Sequence, residues 1–230
     1  MSLISSHYGL VVTMMTALAL SAFNKYLKRY PYRLTDQSAN KSVDQLAKKL
    51  ADNEYKSWKW RNITIAFMHS IISSFWGLFA LIIDPEVALD MIDRTSVNSY
   101  LVLCFSNGYF IYDLHLSLTN LSYKGRSEII LHHLLTISCL TVSTVTKRFS
   151  GYCLTALTVE VSNIFLHWRQ LLYLSDVPND SKTYRLNSII LIISMIIMRL
   201  FPLSWIMFCL YMEKESINCL NSNVGQSGLQ

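Results

Sequence analysis

The chain has 230 residues, of which 52% are hydrophobic and only 15% charged, and a mean hydropathy of +0.30. That composition is too apolar and too poor in charge for an ordinary soluble domain. The net charge of +5 is not accompanied by an aromatic-basic module, which excludes nucleic acid as its explanation. The five cysteines carry no CxxC or Cys/His metal spacing and no disulfide framework, and neither a metal nor a cofactor is expected.

The elements expected in chain order are apolar runs at about 8–23, 63–83, 100–118, 129–145, 152–174 and 188–211. Each is close to the roughly 20 residues a helix needs to cross about 30 Å of hydrocarbon. Lipid offers no partner for backbone amides, and the runs lack the alternation of a barrel strand, so helices are the required form. The expected fold is an all-α membrane protein, a polytopic helical bundle of about six transmembrane helices. The fifth run carries Glu160, Asn163 and His167 and is the one that could be broken.

The first run contains Ala17-Leu18-Ala19, which resembles a cleavage site, but no Lys or Arg precedes Lys25. Lys25, Lys28 and Arg29 follow the run, a pattern that suits an uncleaved anchor with its N-terminus outside. Residues 1–54 are thus read as the first transmembrane helix with a basic cytosolic connection. Within that connection Val43, Leu46, Ala47, Leu50 and Ala51 recur at helical spacing and predict a short amphipathic surface helix.

Basic residues orient the bundle. Fifteen, from Lys25 through Arg61 and then Lys124, Arg126, Arg169, Lys182 and Arg185, fall on one face, against four (Arg94, Lys147, Arg148 and Lys214) on the other. By the positive-inside rule the first face is cytosolic. The sequons at Asn40, Asn62, Asn120 and Asn179 lie on that face and should stay unmodified. The acidic connection 84–98 is then exoplasmic, with a short helix after Pro85, and residues 214–230 read as a disordered tail.

Polar residues within the apolar runs are the candidate site. His132 and His133 are the most informative, since imidazole is costly in hydrocarbon without a partner or cavity. Asp113 can fix an imidazole tautomer and raise its basicity, which makes Asp113, His132 and His133 the candidates for proton or acyl-transfer chemistry. Glu160, Asn163 and His167 share one helical face, and Thr136 lies one turn from His132. Together they predict a shared cavity open to the cytosolic leaflet. Arg199, near the midplane, is expected to be a structural counterion, to Glu160 or Asp113. His69 and His115 are read as interfacial or packing residues.

The segments Trp58-Lys59-Trp60-Arg61-Asn62, Cys104-Phe105-Ser106-Asn107-Gly108-Tyr109-Phe110-Ile111-Tyr112-Asp113, Leu131-His132-His133-Leu134 and Val159-Glu160-Val161-Ser162-Asn163-Ile164-Phe165-Leu166-His167 resemble the TLC domain. The match runs over about residues 55–213, which would hold about five transmembrane helices. It is most similar to the branch of TLC domain-containing proteins one and two, a pattern that includes Tyr184-Arg185-Leu186-Asn187 at the start of the last span. The resemblance implies a plasma-membrane protein that limits incorporation of polyunsaturated acyl chains into phospholipids and so regulates membrane fluidity. The endoplasmic reticulum is the alternative location. The ceramide synthase branch, which uses its His pair for acyl transfer, implies a lipid acyltransferase as a second reading. There the next span carries His-Asp and a following Asp, where this chain has Val159-Glu160 and Asn163, and the homeobox-like insert is missing. A non-catalytic partner of an acyltransferase is the third reading. The implied ligands are membrane phospholipids or acyl chains, with acyl-CoA as a further candidate.

Overall fold

The structure, a computed structural model, describes residues 6–29, 43–119 and 126–227. The sequons at Asn40 and Asn120, and Arg33, Lys41 and Lys124 of the basic connections, lie outside the described residues. The described residues form α1 (Ser6–Leu27), α2 (Val43–Ile83), α3 (Glu86–Leu89), α4 (Val97–Thr119), α5 (Arg126–Thr146), α6 (Ser150–Leu157), α7 (Glu160–Leu174), α8 (Lys182–Met195), a π-helical turn (Ile196–Leu200) and α9 (Phe201–Ser227). The chain is all-helical over these residues.

Among the described residues, four stretches are long and apolar enough to cross a membrane: 7–27, 52–83, 127–146 and 182–215. The other two expected runs are inner elements. At 23 residues α4 is about 35 Å long, enough to cross the hydrocarbon. Its Ser99, Ser106, Asn107 and Tyr109 are buried among neighbouring helices, which is why its sequence tolerates polar residues. It packs chiefly against α1, α5 and α2. The close α1–α4 contact is made possible by Gly108, where an added methyl would run into the Thr13 carbonyl and meet Thr16 Cβ at 2.7 Å. Thr13 also donates its hydroxyl to the Cys104 carbonyl at 3.2 Å, a polar link across the same contact.

Two sequence expectations are corrected, and the break allowed for in the fifth run is found. The amphipathic segment 43–51 is not a separate surface helix but the start of the 41-residue α2, about 60 Å long. Neither Pro nor Gly occurs between Val43 and Gly77 to end the helix. The fifth run divides into α6 and α7 through a tightened turn, in which Val159 N–H and Val161 N–H bond the Ala156 and Thr158 carbonyls. Thr158 and Ser162 bond back to the Thr155 and Val159 carbonyls, a competition that favours such tightening. Finally, helix continues to Ser227 where polar composition suggested a disordered tail. No proline follows Pro202, and Tyr211 Oη donates to Glu215 Oε1 at 3.0 Å across one turn.

The short helix expected after Pro85 is α3. Around it the acidic loop is neutralised locally: Arg94 meets Glu86 at 2.9 Å and Asp84 at 3.6 Å, and Arg148 meets Asp93 at 2.7 Å. The Thr95 hydroxyl lies 2.8 Å from that of Ser150 and donates to the Lys147 carbonyl. These contacts close the end of the bundle opposite the basic connections. A core of Ile65, Ala66, Leu103, Phe110, Leu140 and Leu157 packs the helices together beside the polar region described next, whose cavity Ala66 and Phe110 also line.

Candidate functional site

The tightened turn ahead of α7 makes Glu160 the first residue of that helix and places it in the interior, 7% exposed. Ser70 on α2 donates to Glu160 Oε2 at 2.7 Å, and His69 Nδ1 lies 3.9 Å from the same oxygen. The His69 ring is stacked on Tyr109, with centroids 3.8 Å apart and planes 8° from parallel, and its Nε2 is 3.4 Å from Ser106 Oγ. Tyr109 thus forms a platform that holds an imidazole beside a buried carboxylate.

A second pair faces the first across the bundle. His133 Nε2 on α5 lies 3.4 Å from Asp113 Oδ2 on α4, and the Asn62 side chain hydrogen-bonds the same carboxylate. The carboxylate selects the tautomer with the proton on Nε2 and leaves a lone pair on Nδ1. Among the described residues, neither His133 Nδ1 nor His167 Nδ1, both buried, has a hydrogen-bond partner. Asn62 is half-buried within α2, and its side chain is committed to Asp113 rather than to a surface sequon.

Glu160 of the first pair and both members of the second border one cavity of about 440 Å³, between α2, α4, α5, α7 and the π turn. Of the residues singled out from the sequence, Asp113, His132, His133, Glu160, Asn163, His167 and Arg199 all line it. His132 does so from an exposed position at its edge, whereas His133 is buried. Trp58, Lys59 and Gln170 lie at the end nearest the basic connections.

One expectation is overturned and another refined. Thr136 does not line the cavity: its hydroxyl donates to the His132 carbonyl of its own helix at 2.9 Å, which satisfies it locally. Arg199 does not contact Glu160 or Asp113 directly. Its Nη2 donates to Asn163 Oδ1 at 3.2 Å, Asn163 also hydrogen-bonds Glu160, and the Arg199 charge acts on that carboxylate from beyond ion-pairing distance. Sequence reasoning missed His69, Ser70 and Asn62 as partners of the two carboxylates. Their signal was a weak one, three polar residues spaced along a single apolar helix. His115 is exposed, in keeping with an interfacial place.

Fold and site together define a polytopic α-helical membrane protein with two imidazole–carboxylate pairs around an interior cavity. Residues 59–223 match the TLC domain, and the chain belongs to that family. It is 34% identical to TLC domain-containing protein 2 of Danio rerio over 173 residues, covering 75% of this chain and 70% of that protein. It is 38% identical to TLC domain-containing protein 1 of Gallus gallus over 161 residues, covering 69% of this chain and 63% of that protein. Against TLC domain-containing protein 1 of Homo sapiens the identity is 29% over 164 residues, 70% of this chain and 66% of that protein. No solved structure matches the chain.

Proposed function

We propose that this protein regulates the acyl composition of membrane phospholipids, limiting incorporation of polyunsaturated, fluidising chains at the plasma membrane. The observation that carries this reading is the His133–Asp113 pair at the wall of an intramembrane cavity. Titratable groups at membrane depth are expensive and mark functional sites or pathways. A half-polar cavity of this size, reached from a lipid environment, suits the carbonyl or head region of an acyl lipid.

The same pair favours a second reading, acyl transfer. An imidazole lone pair would attack the carbonyl carbon of an acyl-CoA thioester, the C–S bond would break, and the thiol would leave with a proton. The acyl group on nitrogen would then pass to an acceptor hydroxyl, whose proton returns to the imidazole. Replacement of the ceramide synthase acidic pattern by Glu160 and Asn163 weighs against a sphingoid-base acceptor. A third reading, modulation of a separate acyltransferase through direct contact, keeps the cavity as the lipid sensor.

The test is rescue of a knockout cell line with His132→Ala combined with His133→Ala, matched to wild type in membrane abundance. Loss of the effect on phospholipid acyl chains supports a functional cavity, and full rescue withdraws both histidines. An acylated histidine trapped by mass spectrometry from wild type, and absent from the double variant, selects the transferase reading.

A further inference from the structure

Arg199 lies well inside the apolar run 182–215, is exposed, and makes one side-chain hydrogen bond among the described residues, to Asn163. A guanidinium carries five donors and is never neutral, and at membrane depth it calls for an anion. The π turn that presents it has a local cause. Pro202 has no N–H to give to the carbonyl four residues back, and its ring crowds that carbonyl.

On one side of Arg199 is the polar cavity. On the other, a second cavity of about 480 Å³ is lined by Cys139 and Val142 of α5, Tyr152, Cys153 and Ala156 of α6, and Ile206 of α9. Ala156 lies one turn before Glu160 and Ile206 two turns after Arg199, so helical spacing places the two along one seam. Its walls are α5 on one side and the π turn with α9 on the other, and α6 packs against both to form the floor. Among the described residues α5 makes no extensive packing contact with the π turn or α9. His132 and Arg199, both exposed, lie at the polar end of this seam, and Val142 and Ile206 at its apolar end. From His132 to Val142 the seam extends about 15 Å along α5.

We propose that this seam is a lateral binding site for a non-esterified long-chain fatty acid, with its carboxylate at Arg199 and its chain in the α5–α6–α9 groove. The inference rests on the reading of the polar cavity as a lipid site and adds the ligand class and the route, which is from the bilayer rather than from water. A carboxylate matches a guanidinium in bidentate geometry, and a single narrow groove takes one chain. The fatty acid thereby gives Arg199 a direct ion-pair partner, where Glu160 acts on it only from beyond ion-pairing distance.

The experiment uses the full chain in phosphatidylcholine nanodiscs and a photoactivatable fatty acid with its diazirine in mid-chain. Expected are saturable crosslinks to the peptides that carry Val142 and Ile206. They should be diminished by Val142→Trp and, independently, by Ile206→Trp in proteins that keep the wild-type helical signal and elution volume. Arg199→Gln should weaken labelling by about tenfold to a hundredfold, the loss of a charged hydrogen-bonding partner, while Arg199→Lys retains more of it. Non-saturable labelling spread over Leu134 and Leu203, or labelling indifferent to both tryptophan variants, overturns the site. Stronger competition by lysophospholipid or acyl-CoA than by unlabelled fatty acid overturns the ligand assignment. Failure here with the His pair still required for the lipid profile removes this inference alone. Saturable fatty-acid binding with a fully active double-histidine variant keeps the seam and removes the proposed role of the His pair.

Discussion

His133 Nε2 lies 3.4 Å from Asp113 Oδ2 and ties α5 to the central helix α4 at the cavity wall. Asp113→Asn preserves shape but ends the one-way demand for a donated proton, so the imidazole loses its fixed tautomer. The expected outcome is loss of the effect on phospholipid acyl chains with protein still in the membrane, at a stability cost of about 1–3 kcal/mol. Lipid profiling and thermal unfolding in detergent measure the two parts. A normal lipid profile would reduce the pair to a structural contact.

Glu160 is the opposite anchor, holding Ser70 at 2.7 Å and standing 3.9 Å from His69 Nδ1. Glu160→Gln keeps an acceptor for Ser70 and should cost no more than about 1 kcal/mol. Glu160→Leu leaves the buried hydroxyl without its acceptor and should cost about 1–3 kcal/mol. Comparison of the two unfolding midpoints checks this. If leucine is as stable as glutamine, Ser70 has found another partner.

Much of this site is legible in sequence because the cost of polarity in hydrocarbon is a sequence-level quantity. Asp113, His133, Glu160 and Arg199 stand out within apolar runs, and helical spacing puts Glu160, Asn163 and His167 on one face. Pairings between helices are not legible in this way. That His69 stacks on Tyr109 beside Glu160, or that Asn62 meets Asp113, depends on how α2 is rotated against α4 and α7. The place of Thr136 and the direct partner of Arg199 are hidden for the converse reason. Each has a neutral partner close at hand, the His132 carbonyl and Asn163 respectively, that position in the sequence does not reveal.

Gly108 tests the packing that carries α1. A methyl there meets the Thr13 carbonyl, which is backbone, so relief requires the helix to move as a body. Gly108→Ala should therefore cost about 1–3 kcal/mol, as overpacking does, and loosen α1 from α4. The unfolding midpoint in detergent should fall, and protease should release the α1 segment earlier than from wild type. An unchanged midpoint would show that α1 shifts without penalty.

The fifteen-to-four distribution of basic residues predicts that the α2 extension and the Lys59 end of the cavity face the cytosol. The Arg94 and Arg148 cap is then exoplasmic. Single-cysteine probes at opposite ends of α2 distinguish the two orientations without disturbing the core. Leu89→Cys, in the cap and 73% exposed, should react with an impermeant maleimide added to intact cells. Lys56→Cys, half-buried on the polar part of α2, should react only after permeabilisation. An epitope inserted near Asp52 should behave like Lys56→Cys, and Asn40 should carry no glycan. Reaction at position 56 in intact cells, or a glycan on Asn40, would reverse the bundle and open the cavity to the exoplasmic leaflet instead.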